Sequence, residues 1–129
     1  VTFTPKHTGE TVGLVILGAD YARLSVVNRA DGLYAVYAEK KKADKEGHET
    51  ETPLTKINGH TFFIKAEIKK GGQCRMSLVD EINQSYGPGA VFTAVPGRWV
   101  GAKIGLYCER KNITNDAGYA DIDWFRIEK

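Results

Sequence analysis

Asp121 and Asp123, in the closing run GYADIDWFRIEK, are the pair whose type and spacing most directly suggest chemistry. On a β-strand alternate side chains share a face, which sets the two carboxylates about 6.6 Å apart at Cα. That lies in the range of the carboxyl pairs that cleave glycosidic bonds. Such a pair needs one member held protonated by a desolvating pocket, whereas Lys103 on a neighbouring strand would favour the ionised form of both. An ion-paired outer face is therefore the leading expectation, and hydrolysis by Asp121 and Asp123 the alternative. Asp20, Asp116, Asp121 and Asp123 also offer the oxygens that a structural calcium ion wants, although their spacing fits no defined loop motif. His7, His48 and His60 lie near turn signals without a Cys or His at ligand spacing, so zinc is not supported.

The elements that must position these groups are read from alternation. In GRWVGAKIGLYCER, Val100, Ala102, Ile104, Leu106 and Cys108 share one parity, while Gly101, Lys103, Gly105, Tyr107 and Glu109 share the other. In the closing run Ala120, Ile122 and Trp124 oppose Tyr119, Asp121 and Asp123. Each run therefore predicts a strand with one core face and one polar, partly aromatic face. Placed side by side, they would join Lys103 and Tyr107 to Tyr119, Asp121 and Asp123 on one surface.

Strands are predicted over 1–6, 11–17, 22–27, 33–41, 49–57, 61–69, 73–79, 90–94, 100–110 and 119–128. Turn formers separate them. Asp31-Gly32 and Lys70-Gly71-Gly72 mark tight connections, Asn58-Gly59 is the strongest two-residue hairpin signal, and Pro88-Gly89 and Pro96-Gly97 punctuate the later part. About ten short strands at regular spacing predict an antiparallel two-sheet sandwich or barrel. The charge-rich stretch from Glu39 to Thr52 reads as a hairpin whose Lys and Glu protect a sheet edge. Asn112-Ile113-Thr114 forms a glycosylation sequon in a polar loop.

Composition narrows the function classes. A chain of 129 residues is one domain, able to bury roughly two thirds of its unfolded surface. Eighteen Lys and Arg against sixteen Asp and Glu, without a basic stripe, argue against nucleic acid as partner. No apolar run approaches the length of a membrane span. Cys74 and Cys108 each share parity with apolar neighbours and are expected in the core as thiols, with a disulfide as the alternative.

Aromatic residues are numerous for a small β domain: Tyr21, Tyr34, Tyr37, Tyr86, Trp99, Tyr107, Tyr119 and Trp124. Rings stack on sugar faces while Asp, Lys and Asn bond hydroxyls. Tyr107 and Tyr119 are the expected exposed or interface aromatics, and Gly101 and Gly105 leave the backbone beside Tyr107 approachable. Trp99 stands at a strand entry and joins the candidates, while Trp124 on the core parity reads as packing. Lys103, Tyr107, Tyr119, Asp121, Asp123 and Trp99 are thus the candidate carbohydrate-binding or docking residues.

The segment VFTAVPGRWVGAKIGLYC followed by GYADIDWFRIEK resembles the end of the concanavalin-A-like domain that follows the catalytic propeller in family 43 glycoside hydrolases of the β-xylosidase and arabinofuranosidase type. Upstream, TFTPKHTGETVGLVILGADYARLSVV and CRMSLVDEINQSYGPGAVFTA resemble earlier passages of that domain, so nearly the whole chain is covered. The resemblance implies an all-β jelly-roll sandwich that is not itself the hydrolase. It also implies a catalytic domain in the same polypeptide, xylan or arabinoxylan as the glycan, and a secreted or periplasmic setting, with a cytoplasmic one as the alternative. The chain is expected to be a piece of that longer protein; either its domain is a short one or the domain's first strands precede it, in which case an unpaired sheet edge would favour dimerisation or aggregation, and the oligomeric state stays open. A structural module without sugar affinity, and a small jelly-roll hydrolase using Asp121 and Asp123, are the alternative functions.

Overall fold

Alternation becomes strand along most of the chain in the computed structural model, which describes residues 1–18, 20–40, 49–86, 92–93, 103–110 and 116–126, with 53, 54, 93 and 103 described by backbone alone. The strands are β1 (Thr2–Thr4), β2 (Thr11–Leu17), β3 (Tyr21–Arg29), β4 (Gly32–Lys40), β5 (Thr50–Lys56) and β6 (Phe63–Lys69). They are followed by β7 (Gln73–Val79), β8 (Ser85–Tyr86), β9 (Phe92–Thr93), β10 (Lys103–Glu109) and β11 (Tyr119–Asp121). Five form one sheet in the order β10-β2-β3-β4-β5, β6-β7-β8 form a second with β9 also on β7, and β1 pairs with β11. All the pairings are antiparallel.

The core lies between the two larger sheets. From the five-stranded sheet come Val12, Leu14, Ile16, Ala22, Leu24, Val26, Leu33, Ala35 and Tyr37, and from the other Cys74, Met76, Leu78, Tyr86 and Phe92, with Phe3, Ile57 and Phe62 closing the ends. Removing these faces from water is the main drive to fold, at about 1.5–3 kcal/mol for each large apolar side chain. This is the two-layer all-β architecture that the alternation predicts.

β3 and β4 are buried on both faces over their middle. Ser25, Val36 and Ala38 have the parity opposite to the core yet are 0%, 2% and 0% exposed. Small side chains there form a floor on which longer polar ones from the same sheet lie.

Two predicted connections hold: Gly32, with φ +145°, opens the return from β3 to β4, and Gly71 and Gly72, with φ +86° and +77°, join β6 to β7. Asn58-Gly59 does not make a hairpin. β5 and β6 belong to different sheets, and Asn58 is drawn away by the buried carboxylate of Asp80, to which it donates from its backbone N–H and its side-chain Nδ2. Tyr86 Oη and the N–H groups of Ile82 and Gln84 complete that knot. Burial alone would raise the Asp80 pKa, and these donors overcome it and hold the carboxyl below its usual range.

The largest correction concerns strand order. β10 and β11 are not neighbours: β10 takes the free edge of β2 in a seven-residue register from Lys103–Leu17 to Glu109–Thr11, whereas β11 pairs with β1. The reason is visible in the pairing. β2 offers Leu14 and Ile16 opposite Leu106 and Ile104, a longer apolar ladder than β11 could supply. Beyond Asp121 the ladder stops, so Ile122 and Trp124 are 42% and 52% exposed rather than packed in the core. Cys108 is likewise exposed on the edge strand, Cys74 is buried, and no disulfide joins them. The hairpin tip at 41–48, the sequon and both Pro-Gly turns fall wholly or partly outside the described residues.

Candidate functional site

Arg23 stands near the middle of the outer face of the five-stranded sheet, one position from the core residues Ala22 and Leu24 and therefore pointing the opposite way. Its side chain is only 14% exposed. Glu49, just before β5, takes Nε at 3.0 Å and Nη2 at 2.5 Å, a two-pronged carboxylate grip. Nη1 donates to Tyr107 Oη at 2.9 Å and to Ser25 Oγ at 3.4 Å. Glu51 and Glu109 approach the same guanidinium at 3.4 and 3.9 Å and are 47% and 52% exposed. Tyr21 Oη donates to Glu49 from the adjoining position on β3.

Electrostatics follow the geometry. The hydrogen bond to Glu49 raises the Arg23 pKa against the opposing effect of burial, and the guanidinium in turn holds Glu49 below the usual carboxylate range. Burial, followed by the bond to Glu49, pushes Tyr21 up to about 12. Tyr107 is also raised, by burial, with the bonds to Ser25 and Arg23 working against it. One cation is thus ringed by three carboxylates and two phenols.

Backbone placement explains how β10 delivers Tyr107. Tyr107 lies opposite Gly13, which lies opposite Ser25. A Cβ at Gly13 would meet the Leu24 carbonyl oxygen at 2.6 Å and Ser25 Cβ at 2.7 Å, so glycine is needed where the Tyr107 side chain reaches over toward Arg23. At Gly105, one row along, a Cβ would meet nothing within 4 Å, leaving the backbone open beside Tyr107 as expected.

The other candidate residues sit elsewhere. Tyr119 and Asp121 are on β11 and Asp123 follows it; all three are exposed, on a different sheet from Tyr107. Lys103 opposite Leu17 begins β10, and Trp99 lies outside the described residues. The structure therefore keeps Lys103 and Tyr107 on one strand and separates them from Tyr119, Asp121 and Asp123. Among the described residues no three Asp, Glu, His or Cys side chains converge as metal ligands. Asp116 instead meets His7, Oδ1 to Nε2 at 2.6 Å.

A second buried carboxylate, Glu10, ties the C-terminal segment to the body. Its Oε1 accepts from the N–H groups of Lys6 and His7 at 2.6 and 2.7 Å, and Oε2 from Gly118 at 2.8 Å. Burial acts to raise its pKa, and the N–H donors of His7, Gly118 and Lys6 prevail, so it is held low.

Arg23 and Glu49 were not among the sequence candidates. The signal was present, since Arg23 alternates with Ala22 and Leu24 just as Tyr107 alternates with Leu106 and Cys108. What the sequence lacked was the neighbour relation β10-β2-β3, which makes Tyr107 and Arg23 partners across 84 positions.

Comparison with curated proteins and with solved structures returned no match. Comparison with protein-family models matched residues 1–128 to the beta xylosidase C-terminal concanavalin A-like domain. The match takes in almost the whole chain and agrees with the two-layer antiparallel architecture, so this protein belongs to the family of C-terminal concanavalin A-like domains of family 43 glycoside hydrolases.

Proposed function

We propose that this is a non-catalytic accessory domain of a hydrolase of the β-xylosidase or arabinofuranosidase type, docking on the catalytic domain of the same polypeptide through the outer face of the five-stranded sheet. The parent enzyme would act on xylan or arabinoxylan. One observation carries the reading: Arg23 is fixed by Glu49 and Tyr107 while Glu51 and Glu109 beside it remain half exposed. Such a face presents ordered polar groups and a tyrosine with little rotamer freedom left to lose, and Tyr and Arg are the side chains that most often anchor interfaces. Lys103 and Tyr107 belong to the proposed contact; Tyr119, Asp121 and Asp123 lie outside it.

Physical chemistry argues against catalysis on this face. A glycosidase needs one carboxyl kept protonated, and Glu49 is held ionised by Arg23. Asp121 and Asp123 are exposed, without the desolvating pocket a general acid requires.

The test is binding in trans. The separately produced catalytic domain should bind this chain, and Tyr107→Ala should weaken that binding at least about tenfold. Titration with xylo- and arabino-oligosaccharides asks for glycan contact, and flat heats would reduce the role to docking alone. Turnover of chromogenic xylosides or arabinosides by this chain, abolished by Asp121→Asn or Asp123→Asn, would overturn the reading.

A further inference from the structure

On the outer face of the smaller sheet, four side chains of β6 and β7 stand at the corners of one patch. Glu67 lies directly opposite Arg75 and Lys69 opposite Gln73, over backbones paired with each other. Cys74 and Met76 alternate with Gln73 and Arg75 along β7 and are in the core, so Gln73 and Arg75 point away from it, and Glu67 and Lys69 with them. Between the four lies an open depression of about 280 Å³. That is just under the size of pockets that enclose a drug-sized ligand, so an occupant keeps one side in solvent.

The lining combines groups that no simple ion satisfies. Lys65 Nζ sits 3.1 Å from Glu67 Oε1, and with Lys69 and Arg75 it holds that carboxyl below its usual pKa. Three cations thus stand around one carboxylate, a local excess of two positive charges. Among the described residues the side chains of Lys69, Gln73 and Arg75 have no hydrogen-bond partner. An inorganic anion would match the guanidinium and the ammonium but meet repulsion from Glu67. A neutral sugar would match Glu67 and Gln73 through its hydroxyls and leave the cations uncompensated. A ligand with a carboxylate beside hydroxyls suits all four. Its carboxylate accepts from Lys69 and, in the two-pronged manner a guanidinium favours, from Arg75, while its hydroxyls donate to Glu67 and exchange hydrogen bonds with the Gln73 amide. Among saccharides that combination is a uronic acid. An acidic protein side chain has the carboxylate without the hydroxyls.

We propose that the patch formed by Glu67, Lys69, Gln73 and Arg75 binds a uronic-acid residue of an acidic polysaccharide. The choice of a polysaccharide rests on the accessory-domain reading, while the patch itself lies on the sheet opposite the docking face.

Chemical-shift titration of the isotope-labelled 129-residue chain tests it. The ligands are xylo-oligosaccharides bearing a glucuronic-acid branch, oligogalacturonate, and unbranched neutral xylo-oligosaccharides. Saturable shifts centred on residues 67–75 should appear with the first or the second, which identifies the polymer, and not with the third. Arg75→Gln should weaken that binding at least about tenfold. Glu67→Ala separates a sugar site from plain charge attraction. Removing a negative charge would tighten the hold on a bare anion, whereas losing the acceptor for the hydroxyls should weaken a uronate about threefold or more. No shifts with either uronate, equal shifts with the neutral oligosaccharide, undiminished binding in Arg75→Gln, or tighter binding in Glu67→Ala would each overturn the proposal. Both side chains are exposed, and circular dichroism unchanged from wild type would assign their losses to the site. Arg75→Gln should leave binding of the catalytic domain unchanged, so that a failure of this site and a failure of docking read separately.

Discussion

Glu10 satisfies three backbone donors with one carboxylate, and protonation would remove that capacity from a group only 5% exposed. Because its folded pKa lies below the ordinary carboxylate value, it contributes stability that is complete above the unfolded pKa and disappears as pH falls through the folded one. Denaturation followed against pH should therefore show a loss of stability below about pH 4.5 that is smaller in Glu10→Gln. At neutral pH the same variant turns an amide donor toward a backbone donor and should cost about 1–3 kcal/mol in denaturant unfolding. An acid-insensitive wild type would remove the clasp from the account. Single residues were legible in the sequence where one parity decided them, as at Tyr107 and Gly105. They were not legible where a distant backbone decides, as for Glu10, whose third donor is 108 positions away.

Among the strands, β2 and β7 have the limits that alternation predicts, because both have partners on each side and a full apolar face in the core. The closing run shortens to Tyr119–Asp121, since β1 supplies only three pairing positions. Alternation reports which side chains could face a core and says nothing of how long a neighbour lasts. The central strands depend on close backbone approach at Gly13. Gly13→Ala should lower the denaturant midpoint without changing the slope, by about 1–3 kcal/mol, from overpacking against Ser25 and the Leu24 carbonyl. It should also weaken the Tyr107–Arg23 contact, seen as altered tyrosine fluorescence. A variant as stable as wild type would mean that the sheet yields there at no cost.

For the molecule as a whole, composition and period reach the fold class, while strand order depends on pairings far apart in sequence. β10 joins β2 across some ninety residues and β11 joins β1 across nearly the whole chain. That is why a surface expected to unite Tyr107 with Asp121 and Asp123 is divided between sheets, and why Arg23 replaces the aspartates at the centre of the proposed contact.

Cys108 offers a handle on the proposed docking. It is exposed next to Tyr107 while Cys74 is buried, so a maleimide dye should mark one position on the folded chain. Burial raises the Cys108 thiol pKa, so alkylation should be slow at neutral pH and keep accelerating above the ordinary thiol value of about 8.5. Cys108 has the parity opposite to Tyr107, so a dye there would leave the proposed docking face uncovered, and the labelled chain should bind a catalytic domain as tightly as the unlabelled one.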